Sequence, residues 1–446
     1  MASVRQAFSA RVIPHLRNVR ELPNWTHRCW CAHQCSRQSS ASTLVASVID
    51  SRRPDGSGTI LICALGRAPV SVSHSVSAGF RVVETSVGRV RGLLREGYAE
   101  FKGIHYGEPT GGTNRFLPPK PPRPWTGVRD ALQIGPQSPQ VNPDLPAWLD
   151  SSEESEDCLV LNVWAPDHAR ADSALPVMVW LHGGGFVFGS AGAPMFDGGN
   201  MARDGDVVVV GVNHRLNVFG YTYLGDGVDE RFALSGNVGH LDLVAALQWV
   251  RDNISAFGGD PDNVTIFGQS GGGGKVAALM AMEQAQGLFH KAINMSGSIL
   301  RFHTPDDAAA VTARLYKELD VREGDVESLQ KVPTKTLSQF MAVLGDRFVA
   351  GEPHPLLKYG PVVDGHVLAE QSWWDGAPAL GRNIPMVIGS VLDETGWVPP
   401  RADHRFDRRL GACSSRLAVL HVQSRPSRRA GPVGRPLSPR HARSVR

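Results

Sequence analysis

Short runs of β-branched and aromatic residues recur along the middle of this chain, separated by segments whose apolar positions follow a helical spacing. The bounded apolar runs predict strands at Leu159–Trp164, Val177–Leu181, Val207–Val212, Val264–Phe267, Lys291–Met295 and Pro385–Ile388. Helical segments lie between most of them. That alternation predicts an α/β fold, with a largely parallel central sheet and helices on both faces. The clearest helix carries Leu243, Leu247, Val250 and Ile254 on one stripe, and Phe257-Gly258-Gly259-Asp260-Pro261 stops it with glycine and then proline. Upstream, Val82-Val83-Glu84-Thr85 and Gly88-Arg89-Val90-Arg91-Gly92 read as a hairpin. A Pro-rich segment from Phe116 to Trp125 follows and is expected to run extended over the surface. There is no internal repeat, and no apolar run approaches the roughly 20 residues of a membrane span.

One junction between a predicted strand and a predicted helix carries chemistry. Gly268-Gln269-Ser270-Gly271-Gly272 follows the strand Asn263–Phe267 and precedes the helix-forming Gly273–Met282. A serine on such a sharp turn is held with its Oγ exposed, in a backbone conformation that crowding neighbours would forbid; the glycines remove the crowding. The helix start beneath it offers free N–H groups to a developing oxyanion. A matching piece lies upstream, where His182-Gly183-Gly184-Gly185-Phe186 directly follows the apolar strand ending at Leu181. Three glycines at a strand end let backbone N–H groups point into a cavity, as in the oxyanion hole of α/β-hydrolases. Together the two pieces predict a serine hydrolase scaffold.

Composition modifies this picture at the ends of the chain. The 446 residues, 42% of them hydrophobic, suffice for one large α/β domain. The net charge of +3 is unevenly spread: residues 82–400 carry 24 Lys and Arg against 38 Asp and Glu, whereas the whole chain carries 46 against 43. Lysine first appears at Lys102 and last at Lys358, so every basic residue in the two terminal regions is arginine. These regions mix Arg with Pro, Ser, Ala and Gly and show no helical period, which argues against nucleic-acid or membrane-binding arms. Arginine without lysine in such a context is what GC-rich DNA yields out of frame. The expectation is therefore a domain over 82–400 whose C-terminal part is missing, flanked by disordered or misread segments at 1–81 and 401–446.

Cysteine usage agrees. Cys158 alone lies within the expected domain, so no disulfide framework forms, which favours a reducing, cytoplasmic location. His27, Cys29, Cys31, His33 and Cys35 supply metal-ligand types but lack a paired CxxC spacing, and no metal is expected there. The Arg-rich first twenty residues define no clean amphipathic face and precede no apolar stretch, so no signal peptide is expected.

Further motifs connect the two chemical pieces. Phe101-Lys102-Gly103-Ile104-His105-Tyr106, Arg115-Phe116-Leu117-Pro118-Pro119, Glu156-Asp157-Cys158-Leu159-Val160-Leu161-Asn162-Val163 and Asn213-His214-Arg215-Leu216 occur in that order. Gly236-Asn237-Val238-Gly239, Phe257-Gly258-Gly259-Asp260-Pro261 and Pro361-Val362-Val363-Asp364-Gly365 continue the series. Over about residues 82–397 the chain resembles the type B carboxylesterase family, the group that includes cholinesterases. The resemblance implies an α/β-hydrolase fold and hydrolysis of a small-molecule carboxylic ester, with neither metal nor organic cofactor.

Residue by residue, the resemblance implies Ser270 as nucleophile and the N–H groups of Gly184, Gly185 and Gly271 as the oxyanion hole. The family's acidic triad member follows a strand, where this chain reads Val391-Leu392-Asp393-Glu394-Thr395-Gly396. It implies Glu394 as the residue orienting a catalytic histidine, with Asp393 the neighbouring alternative. In secreted relatives the cysteine matching Cys158 is paired, but here Gly135-Pro136-Gln137-Ser138-Pro139-Gln140 offers serine instead. Cys158 is thus expected to be a free, buried thiol. The family's histidine belongs to a Gly/His/Glu motif beyond the acid, and no such motif follows Trp397; His404, His421 and His441 are the downstream histidines. Without a base the serine alkoxide is hard to form near neutral pH, and a loss of several orders of magnitude in activity is expected. The alternative function is a catalytically dead, cholinesterase-like binding protein.

Overall fold

The computed structural model describes residues 79–140, 153–225, 227–297, 301–343, 358–371, 373 and 376–391, with the strand backbone at 49–52, 58–61 and 417–422. The chain divides into two compact units, residues 1–75 and 76–446. In the first, β1 (Ile49–Arg52) and β2 (Gly58–Leu61) pair antiparallel. The Cys29–Cys35 cluster lies outside the described residues.

In the second unit the strands are β3 (Phe80–Thr85), β4 (Gly88–Arg95), β5 (Tyr98–His105), β6 (Val128–Asp130), β7 (Val160–Pro166), β8 (Leu175–Leu181), β9 (Val208–Val212), β10 (Gly259–Gln269), β11 (Lys291–Met295), β12 (Met386–Val391) and β13 (Leu417–Val422). They form one sheet in the order β13-β12-β11-β10-β8-β9-β7-β5-β4-β3, with β6 beside β4. From β13 to β9 all neighbours run parallel, while β9 to β3 run antiparallel. The parallel half therefore carries the Ser270 junction. In the other half β3 and β4 form the expected hairpin and β5 follows through a second two-residue turn, which permits only antiparallel return, while β5–β7 and β7–β9 pair antiparallel across longer connections. β5 and β13 were not among the expected strands, and β13 falls in the Arg/Pro-rich tail.

The helices are α1 (Gly199–Gly205), α2 (Asn217–Tyr221), α3 (Val238–Asn253), α4 (Gly271–Leu279), α5 (Pro305–Glu318), α6 (Val326–Lys331) and α7 (Thr334–Val343). Every residue of β7 and β9 is buried, as continuous apolar runs require when both sheet faces are covered. The α3 stripe Leu243, Leu247, Val250 and Ile254 is buried as its spacing predicted, and Gly258 ends the following turn at φ +95°. Phe257 meets Phe101 edge-on, with ring centroids 4.9 Å apart. Cys158 is a free, buried thiol, as expected; burial pushes its pKa well up, and the Ser138 hydroxyl lies within hydrogen-bonding reach.

A buried ion pair fixes the β9–α3 connection. Arg215 Nε and Nη2 donate to Asp242 at 2.8 and 2.6 Å, the Arg215 backbone N–H donates to the same carboxylate, and Nη1 donates to Leu117 O at 2.8 Å. Both side chains are almost wholly buried, so removing one partner leaves an uncompensated charge. Asp242→Ala is expected to cost about 3–5 kcal/mol of folding stability. Urea unfolding of the two proteins measures it, and a loss below about 1 kcal/mol would contradict this account.

Candidate active site

β10 and α4 meet at Ser270, whose backbone sits at φ +56°, ψ −123°. This strained position is held from both sides. The Ser270 N–H donates to Met295 O at 2.8 Å, and Ser270 O accepts from the Gly274 N–H at 3.1 Å. Asn294, on β11, donates to Gly273 O at 3.1 Å and accepts from the Gly297 N–H at 2.9 Å, fastening the first turn of α4 to the neighbouring strand. The glycines around the serine are sterically obligatory. A Cβ at Gly268 would strike the Gly272 carbonyl, one at Gly272 would strike Leu181 O, and one at Gly271 would fall on the Gly185 backbone. The Ser270 side chain is exposed and has no hydrogen-bond partner among the described residues.

The glycine loop leaving β8 is brought directly against this turn. A Cβ on Gly183 would lie 3.6 Å from the Ser270 Cβ, and one on Gly271 would lie 2.5 Å from Gly185 N. Gly184 and Gly185 adopt φ +89° and +63°, conformations that favour glycine. Among the described residues, the N–H groups of Gly184, Gly185 and Gly271 donate to nothing. Two amide side chains pin the rest of the loop. Gln140 accepts from the Gly189 N–H at 2.7 Å, and Asn217 Nδ2 donates to Val187 O at 2.9 Å while the Asn217 N–H donates to Phe186 O at 2.7 Å.

Behind the loop lies a group of basic side chains. Lys275, wholly buried on α4, donates from Nζ to His182 O at 2.8 Å. His182 stacks on His214 with centroids 5.2 Å apart, and His240 Nδ1 lies 3.1 Å from the Tyr221 hydroxyl. Among the described residues, His182 Nε2 and His240 Nε2 have no hydrogen-bond partner. Burial, then the nearby Lys275, holds His182 and His214 well below the usual imidazole range and His240 at about 3. Burial alone brings Lys275 down to about 7. None of these histidines hydrogen-bonds to Ser270.

The sequence-derived site is thus partly assembled. Ser270, Gly184, Gly185 and Gly271 come together; Glu394, Asp393, His404 and His441 lie outside the described residues, and of His421 only the β13 backbone is described. Surface cavities of about 620 and 390 Å³ lie elsewhere, the first lined by His105, Glu108 and Arg123, the second by Pro119, Pro121 and Trp249. Among the described residues no group of three or more His, Cys, Asp or Glu is placed to hold a metal ion, and no helix is long and apolar enough to cross a membrane. Lys275, Gln140 and Asn217 were not singled out from sequence. Lys275 left a signal, a lone charge inside an otherwise Gly/Ala/Val/Leu helix, whereas the two amides left none.

A sequence model of the carboxylesterase family matches residues 80–419. The chain belongs to the carboxylesterase family. It is 41% identical over 315 residues to the para-nitrobenzyl esterase of Bacillus subtilis, a match covering 70% of this chain and 63% of that protein. It is 35% identical over 357 residues to the liver carboxylesterase of Sus scrofa, covering 72% of this chain and 59% of that protein. Among solved structures it resembles the Geobacillus stearothermophilus carboxylesterase EST55, with a TM-score of 0.63 and 42% identity over 71% of this chain and 62% of that one. The chain therefore spans somewhat under two thirds of the length of these relatives. The α/β-hydrolase fold inferred from sequence is the fold of this family.

The buried imidazoles set a pH dependence. Unfolded histidine titrates near 6.5, and all three folded values are lowered, so their contribution to stability is complete above about pH 6.5 and is lost as pH falls below it. Lys275 is protonated in both states below about pH 7 and adds no slope there. Between pH 6 and 5 the unfolding free energy is expected to fall with a slope approaching about 4 kcal/mol per pH unit. Replacing one histidine, as in His240→Phe, is expected to remove about a third of that slope. Urea unfolding at stepped pH measures both, and a flat profile over this window would refute the assignment.

Proposed function

We propose that the chain is a serine hydrolase acting on a carboxylic ester, with Ser270 as nucleophile. The observation that carries this reading is the strained, exposed serine set against three N–H groups that donate to nothing among the described residues. In this reading Ser270 Oγ attacks the acyl carbon, and the carbonyl oxygen gathers negative charge within reach of the Gly184, Gly185 and Gly271 N–H groups. Such preorganised donors stabilise the tetrahedral intermediate more than the ground state, which is how they accelerate acyl transfer. The alcohol leaves with a proton, and water then releases the acid from the acyl-enzyme. The fixed φ of Ser270 and the glycine contacts support this, because the donors need no rearrangement when charge develops.

The base falls to none of His182, His214 and His240, which are buried and neutral behind the loop. We assign the orienting acid to Glu394, with Asp393 as the neighbouring alternative, both outside the described residues, and assign no residue to the base. No step in this scheme calls on a metal or organic cofactor, and its partner is a small-molecule ester. A single buried, reduced cysteine in the domain supports a cytoplasmic setting.

The test is release of p-nitrophenol from p-nitrophenyl butyrate by the purified chain and by Ser270→Ala. The substitution is expected to lower the enzymatic rate by about 10³-fold or more. Equal rates in the two proteins would remove Ser270 from the chemistry and leave the family's non-catalytic, binding role.

A further inference from the structure

Lys275 is a buried feature near the elbow that the proposed chemistry does not use. Its ammonium is fully buried, yet its single described hydrogen bond runs to the carbonyl of His182, the residue that begins the glycine loop. Among the described residues, the titratable side chains that face it are His182 from the β8 end, His214 from the β9 end and His240 from α3, and no carboxylate is among them. Asp242, the buried acid of α3, is already engaged by three donors of Arg215. An unpaired buried cation is costly to a fold, so its packing alone gives no reason for a lysine here.

Its placement does. Lys275 lies on the helix that starts at Ser270, and it holds the strand end that starts the glycine loop. We propose that Lys275 is a positioning residue of the oxyanion loop: its Nζ–H clamps the His182 carbonyl to α4, fixing the peptides that present the Gly184 and Gly185 N–H groups beside Ser270. This rests on the reading of those N–H groups as oxyanion donors. The clamp ties the two halves of the site, one from β8 and one from α4, through a single charge-assisted hydrogen bond. A hydrogen bond from an ammonium is about twice as strong as one from a neutral amine, so the clamp weakens as Lys275 loses its proton. Burial brings that loss near pH 7, while the three histidines are neutral on both sides of it. The sign follows: the loop is held tightly below about pH 7 and loosens above it.

The test is amide hydrogen exchange of the full chain, followed by mass spectrometry and corrected for the intrinsic effect of pH. The reporter is the peptide over His182–Ser190, whose Val187, Phe188 and Gly189 N–H groups are hydrogen-bonded within the loop and to Gln140. Its protection is expected to fall about threefold to tenfold between pH 6 and 8.5, while β9 (Val208–Val212) stays unchanged. In Lys275→Met the loop is expected to exchange at the faster rate at both pH values, in a protein whose heat-unfolding midpoint is unchanged or raised. Loop protection that is independent of pH, or unaltered in Lys275→Met, overturns the proposal. If Lys275→Met does not fold, the wild-type pH profile decides alone. This readout needs no turnover: Ser270-dependent hydrolysis with a pH-independent loop overturns the clamp only, and a pH-gated loop without Ser270-dependent hydrolysis overturns the esterase reading only.

Discussion

Ser270 occupies a backbone conformation, φ +56° and ψ −123°, that an L-residue adopts only when its surroundings over-determine it. Strain of this kind costs on the order of 1–3 kcal/mol, and the neighbourhood is arranged to hold it. β10 delivers the chain to the turn, α4 carries it away, and β11 holds the serine N–H and the first turn of the helix. The requirement spreads outward as a requirement for small residues. Gly268, Gly271 and Gly272 lack side chains because other backbone occupies the space, and in the case of Gly271 that backbone belongs to the second glycine loop. The same close approach that forbids a Cβ brings the glycine-loop N–H groups beside the serine.

Rigid support distinguishes this site from a loop that merely contains a serine. The glycine loop is fastened at its start by Lys275, in its middle by Asn217 and at its end by Gln140. These three side chains come from α4, α2 and the segment before β7, so the loop is referenced to the sheet as a whole. The basic group behind it adds an electrostatic cost to the fold. Three neutral imidazoles and a partly deprotonated lysine share an interior with no free carboxylate among the described residues, so stability here is coupled to pH on both sides of neutrality.

Much of the fold was legible because the strands in the middle of the sheet are short apolar or β-branched runs set between helical segments. Val207–Val212 and Lys291–Met295 read as strands from their apolar runs alone, and β9 and β11 occupy those positions almost residue for residue. The α3 stripe was equally clear from its spacing. What escaped was set by non-local pairing. β5 mixes Glu100, Lys102 and Gly103 with its apolar residues and gains its strand identity from β4 and β7 on either side. α5 had a local signal that went unread, Thr304 capping the Asp307 N–H with proline in the first turn. At the site, Ser270 and the glycines were legible since steric necessity writes itself into glycine spacing. Gln140 and Asn217 were not, because an amide that happens to face a loop carbonyl leaves no periodic trace.

The central claim is that the N–H groups of Gly184, Gly185 and Gly271 form a preassembled anion site beside a reactive Ser270. A crystal structure of the chain after treatment with an alkyl fluorophosphonate tests it most directly, since the phosphonyl group on Oγ mimics the tetrahedral intermediate. The account predicts a covalent adduct on Ser270 with its phosphonyl oxygen about 2.7–3.1 Å from those three nitrogens. An unmodified Ser270, or an adduct whose oxygen points to solvent away from the glycine loop, would contradict it.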